Sequence, residues 1–209
     1  MMLGRRAGIA LVATLAAGLA ACSSSDPQPK EETVQPSQSH MQPTGTPTPP
    51  VTPQPISSQW RTVEGPDFTI GVPGSFTEEI VTVSNGTKAY AFDAPRSDED
   101  DTTLTRVAVL RDEKPKSDVI QQSFVLEEMQ SVNNEDEVER SEVTWPGTEK
   151  AVIVQWTSPI GGTEGKRQET WQLMAQINKD LIINVVAIAP EETFDESDLP
   201  AILATFKGR

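Results

Sequence analysis

Residues 60–209 predict an α+β domain on a mostly antiparallel sheet, and three features carry that reading. Short runs of alternating apolar and polar residues recur between turn signals, which is the period of half-buried strands. Residues 117–132 change to a helical period. Residues 181–188 are apolar on both faces, the pattern of a strand at the centre of a covered sheet.

The elements follow in order. Phe68-Thr69-Ile70-Gly71-Val72 alternates and stops at Pro73, which predicts a first strand. Strands over 80–83 and 88–92 flank Ser84-Asn85-Gly86-Thr87. Asn-Gly tolerates the positive φ that tight hairpin turns require. A further strand, 104–110, comes after the acidic loop Asp98-Glu99-Asp100-Asp101. In 117–132 Ile120 and Phe124 are four apart, Val125, Met129 and Val132 follow at i, i+4 and i+7, and Gln121, Glu127 and Glu128 fall on the other side. That spacing predicts an amphipathic helix burying those five apolar residues on one face. Strands over 138–145 and 151–156 come next, then a hairpin at 159–165 leading into a strand at 168–177. There Trp171, Leu173, Ala175 and Ile177 form an apolar face, opposite Gln172 and Gln176. A tight turn, Asn178-Lys179-Asp180, gives the strand at 181–189. A closing helix is predicted from Leu199, Ile202, Leu203 and Phe206, with Asp198 as its cap and Pro200 in its first turn. These 150 residues are one domain's worth of chain, enough to bury about two-thirds of the unfolded surface.

The chain ahead of the domain is of another kind. Residues 1–21 hold Arg5 and Arg6 and then an uncharged apolar run, the layout of an export signal. The run falls short of the ~20 apolar residues that cross a bilayer. Leu19-Ala20-Ala21-Cys22 resembles the lipobox of bacterial lipoproteins. The resemblance implies cleavage between Ala21 and Cys22 and a Cys22 that carries diacylglycerol through a thioether, with a further acyl chain on its amine. It places the protein on the extracytoplasmic face of the cell membrane. A plain secretory signal with a chance cysteine at the cleavage point is the competing reading. A redox or metal role for Cys22 finds no second thiol and no neighbouring histidine.

Residues 22–59 form a predicted tether. Nine of the 17 prolines lie in 23–59, among Ser, Thr and Gln, and such a composition cannot repay its ordering entropy by burying apolar surface. His40, the one histidine, lies in this stretch, so the domain has neither histidine nor cysteine. Without residues 1–21 the chain keeps 15 of 17 basic and all 31 acidic residues, a net charge of 15 − 31 = −16. The domain itself has 14 basic and 28 acidic residues, or −14. Such a surface repels phosphate backbones and argues against nucleic-acid binding.

The segment from Phe68 to Phe76, FTIGVPGSF, resembles the opening of PsbP/Mog-type domains, with Phe76 where those usually place Trp. Residues 199–206, LPAILATF, are similar to their closing helix. With lipobox and Pro/Thr tether, the whole resembles the LpqN/LpqT group of actinobacterial lipoproteins. That resemblance implies an α/β/α sandwich around an antiparallel sheet. It also implies a cell-envelope accessory role, binding a protein partner or an envelope glycolipid rather than turning one over.

No Gly-x-Ser-x-Gly elbow occurs, and the usual base for a serine nucleophile is missing from the domain. The run from Gly161 to Lys166 is one residue short of a phosphate loop, and Arg167 stands where Ser or Thr should. Asp98–Asp101 lacks the central Gly and closing Glu of a calcium loop; Glu135-Asp136-Glu137 and Glu191-Glu192 read as solvated loops. Hence no catalytic residue, metal ligand or cofactor is assigned, and the expectation is a non-enzymatic binding module. Its rivals are a hydrolase or transferase acting on envelope glycolipids, which a pocket with paired carboxylates would favour, and a cation-binding regulatory domain. Of the tryptophans, Trp156 and Trp171 are expected as a core pair on adjacent strands, the alternative being the wall of an amphiphile-binding cleft.

Overall fold

Ten strands and two helices make up the described residues, 48–83, 86–96, 104–133, 137–161 and 165–209, of the computed structural model. A three-stranded sheet has the order β1-β2-β10, with β1 Trp60–Gly65, β2 Phe68–Pro73 and β10 Lys207–Gly208. A seven-stranded sheet has the order β3-β4-β5-β9-β8-β7-β6. Its strands are β3 Thr77–Thr82, β4 Lys88–Asp93, β5 Arg106–Glu113, β6 Glu139–Val143, β7 Lys150–Pro159, β8 Arg167–Asn178 and β9 Leu181–Pro190. Every pairing among them is antiparallel. The helices are α1, Val119–Asn133, and α2, Leu199–Ala204. The chain is thus a mixed α+β fold on antiparallel sheets, as expected from its patterns.

β9 is the middle strand of the seven, where its two-faced apolar sequence predicts it. Its odd-numbered residues, from Leu181 to Ala189, face the main core. That core is closed by Phe68, Ile70 and Val72 of β2, by Leu199, Ile202 and Leu203 of α2, and by Phe206. On the opposite face α1 covers a smaller cluster of Val119, Val152, Val154, Met174 and Ile182. Full burial of an aromatic such as Phe68 or Phe206 contributes about 2–3 kcal/mol. The two rings stack with centroids 6.3 Å apart.

One face of the large sheet therefore carries a small sheet and a six-residue helix instead of a helical layer, which makes the fold more strand-rich than an α/β/α sandwich. The strands that change the count, β1 and β10, carry little pattern. β1 reads Trp-Arg-Thr-Val-Glu-Gly with only Val63 buried, and β10 is two residues long.

Two local expectations are corrected. Asp198 stands at the N-cap of α2 but makes no side-chain cap; the Leu199 N–H instead meets Ser197 Oγ at 3.3 Å. Pro200 does sit in the first turn. The expected buried face of α1 is the larger correction. Val119 and Ser123 are its buried residues, whereas Phe124, Val125, Met129 and Val132 are exposed. Helix periodicity identifies an apolar stripe, but the partner surface decides which stripe is covered. Here β7 and β8 offer Val152, Val154 and Met174 to the other side of the helix.

Contact with the core also begins before Trp60. Val51 packs against the main cluster, and the Gln54 N–H donates to the Ala204 carbonyl at 2.9 Å. Ile56 lies over Gly71, where a Cβ would come within 2.7 Å of its Cγ2. The described end of the predicted tether is thus laid along α2 and β2. The compact unit runs over Pro47–Arg209. Limited proteolysis should accordingly leave a resistant fragment starting before Val51, not near Trp60. Gly71→Ala should lift Ile56 and move the limiting cut downstream toward residues 57–59, as read by mass spectrometry. An unchanged cut site in that variant means that Ile56 does not hold the segment.

Candidate functional site

Ala21, Cys22 and His40 lie outside the described residues, as do the whole acidic loop Asp98–Asp101, Ser84 and Asn85 of the expected hairpin turn, Glu135 and Asp136, and 162–164 of the second hairpin. The candidate site is built from what the two faces of the large sheet leave unused.

The four tryptophans do not make a common wall. The Trp145 indole is buried and its Nε1–H donates to the Phe206 carbonyl at 2.9 Å, so it ties the chain end to the core. The half-buried Trp60 packs against the main cluster. Trp171 stands opposite Gln155 and Trp156 opposite Thr170, so the two expected partners point to opposite faces of the sheet. Trp171 packs on Phe194, centroids 5.0 Å apart, in the main core. Trp156 joins the cluster beneath α1. The sequence lacks the signal for this, because adjacent strands do not reveal their register.

Two clefts flank residues 49–56. One, of about 430 Å³, lies between Pro50, Val51 and Gln54 on one side and Pro200, Ala201 and Ala204 on the other. The second, of about 160 Å³, is bordered by Pro55, Ile56, Pro146 and Phe206. Both are shallow, and no carboxylate lines either of them. Among the described residues no group of three or more His, Cys, Asp or Glu is placed to hold a metal ion.

α1 presents the chain's largest group of outward apolar side chains among the described residues. Phe124 is 53% exposed, Val125 54%, Met129 37% and Val132 82%. Besides the packing of Val119, Ile120 and Leu126 on the sheet, the helix is held by polar ties at its start. Asp118 accepts from the Gln121 N–H at 3.0 Å and from Lys150 Nζ at 2.9 Å. The Val119 N–H donates to Oε1 of the buried Gln176 at 3.2 Å. Gln122 donates to Asp112 on β5 at 3.1 Å. In the middle, Arg140 of β6 donates through Nε to Ser123 Oγ at 2.8 Å and sets its guanidinium 3.9 Å from the Phe124 ring centroid. Its other end pairs with Glu142 at 3.0 Å.

Two carboxyls have displaced titrations. The Gln121 amide, then Lys150, hold Asp118 below the ordinary carboxylate range. Partial burial raises Glu169; the Trp171 indole, donating at 2.6 Å, opposes the rise, and Asp195, Glu191 and Glu139 add to it. Glu169 lines neither cleft and serves as the acceptor for a core indole. Sequence reading missed both, although an Asp one residue before a helical run is a recognisable cap signal.

Both carboxyls give testable behaviour. Asp118→Ala should destabilise the domain by on the order of 1 kcal/mol, as loss of a helix cap does. Because its folded-state titration is lowered, the charged Asp118 stabilises above the ordinary carboxylate range, and that contribution is lost as pH falls through the lowered value. Melting curves at neutral and acid pH should therefore converge for parent and variant at low pH. Glu169 has the opposite sign: its charged form is disfavoured above the raised value, and acidification through that value relieves it. Glu169→Gln, which keeps an acceptor for Trp171, should raise the melting temperature at neutral pH and leave it unchanged or lower near pH 4.

No family model matches the chain, and no curated protein matches it.

Proposed function

We propose that the protein is a lipid-anchored accessory module of the cell envelope, of the LpqN/LpqT kind, that binds a protein partner and does not turn over a substrate. The observation that carries the binding role is the outward apolar group on α1, four large side chains within nine residues of one helix. Exposed apolar groups of this size mark interaction surfaces more often than they serve the fold. Support for the anchor comes from Leu19-Ala20-Ala21-Cys22 behind a charged, then apolar leader. The shallow clefts favour a protein over a glycolipid, since an acyl chain needs a deeper apolar slot than they offer. The same reading takes the domain as PsbP/Mog-like, with the small sheet and α2 in place of one helical layer.

Cys22→Ala should abolish acylation and move the protein from the detergent phase to the aqueous phase on temperature-induced separation. Continued partitioning with detergent means that another segment anchors the chain. In parallel, envelope extract and glycolipids incubated with the full chain should yield bound partner without product. Reproducible turnover that disappears on replacing one Asp or Glu would replace this reading with the hydrolase or transferase.

A further inference from the structure

The outer face of α1 has a definite chemistry. Val125, Met129 and Val132 stand at i, i+4 and i+7, so they form one ridge along the helix. Phe124 flanks that ridge on the side of β6, as its contact with Arg140 shows. The ridge is bordered by acid. Glu128 is exposed among the apolar residues, and α1 has no basic residue along its length. On β6, Glu142 occupies the far end of the Arg140 guanidinium, so that cation is already neutralised.

We propose that this face is the docking site for a basic amphipathic helix of a protein partner; the inference rests on the binding-module reading above and names the partner's chemistry. A ridge of apolar side chains at helical spacing fits the groove of a second helix. Lys or Arg flanking the partner's apolar stripe meets Glu128 and Glu142, which steers encounter and fixes orientation. Other occupants meet repulsion. A second copy brings a domain of 14 basic and 28 acidic residues against its like. An anionic membrane surface meets the same net charge. Arg140 holds the Phe124 ring in place by a cation–π contact, which removes part of the ordering cost at the moment of binding.

The test uses the full chain and two synthetic helical peptides of one apolar stripe, one with Lys on its polar face and one with Glu. Binding is followed by fluorescence anisotropy at low and high salt. The Lys peptide should bind, more weakly as salt rises, and the Glu peptide should not. The double variant Val125→Ser/Met129→Ser, at exposed positions and therefore expected to melt like the parent, should weaken the Lys peptide at least about tenfold. Glu128→Lys should weaken the Lys peptide and admit the Glu peptide. Equal binding of both peptides, or Lys-peptide binding unaffected by the double variant, overturns the proposal. So does a dimer in sedimentation that the double variant dissociates, or binding to anionic vesicles through these residues. Cross-linking to an envelope protein that survives in the double variant also overturns it, and leaves the accessory-module reading standing.

Discussion

The last ten residues of the chain hold its two sheets together. Thr205 Oγ1 accepts the Gly71 N–H at 2.8 Å and donates to the Ile202 carbonyl at 2.7 Å, so α2 ends bonded to β2. Phe206 is buried between the sheets, stacks on Phe68, and gives its carbonyl to the Trp145 indole. Lys207 and Gly208 then pair with β2. Gly208 passes so close to Gly147 that neither has room for a Cβ, and Gly147 also adopts φ 74°. Without this seam β1 and β2 would be a two-stranded ribbon, and such ribbons are marginal alone in water. The same seam receives residues 51–56 through Ala204 and Gly71.

That arrangement explains which parts of the fold were legible in the sequence. Strands β2, β4, β5, β7, β8 and β9 and helix α2 announce themselves, because each buries one or two full faces and the period must match, whereas α1 is announced by a stripe that the fold leaves exposed. β1 and β10 do not. They are held by backbone pairing to β2 and by neighbours distant in sequence, and neither needs an apolar face of its own. Register is hidden for a related reason. Trp156 and Trp171 are both large and both in strands, but Gln155, not Trp156, lies opposite Trp171. A one-residue offset reverses every side chain on a strand, and no local signal fixes it when both faces are buried.

The outward apolar side of α1 was legible in composition and misplaced in space. Phe124, Val125, Met129 and Val132 are apolar and helically spaced, and the economical expectation for such residues is a core. The assignment failed because α1 has two apolar sides. Val119, Ile120 and Leu126 are taken by the sheet, and the second side is left over. Residues at helical spacing on more than one side of a helix are the sequence feature that could have distinguished the cases.

An apolar outer face poses a stability problem for α1, since a helix held by few buried residues should prefer to turn that face inward. Polar ties prevent the rotation. Asp118 fixes the first turn to Lys150, Gln176 takes the Val119 amide, and Gln122 reaches Asp112 on the side of β5. Arg140 locks Ser123 from the side of β6. Turning the helix by about 100° to bury Val125 or Met129 would break all of these, each worth about 0.5–1.5 kcal/mol when neutral and more when charged. It would also leave the Gln176 side chain buried without its partner, at a cost of about 1–3 kcal/mol. Burying one aliphatic side chain returns only about 1.5–3 kcal/mol. The rotation would also lift Val119, Ile120 and Leu126 off the sheet, so the balance favours the observed orientation with the apolar ridge outward. The fold thus keeps an apolar surface outward, as the proposed partner helix requires, with the bonds beneath α1 already made.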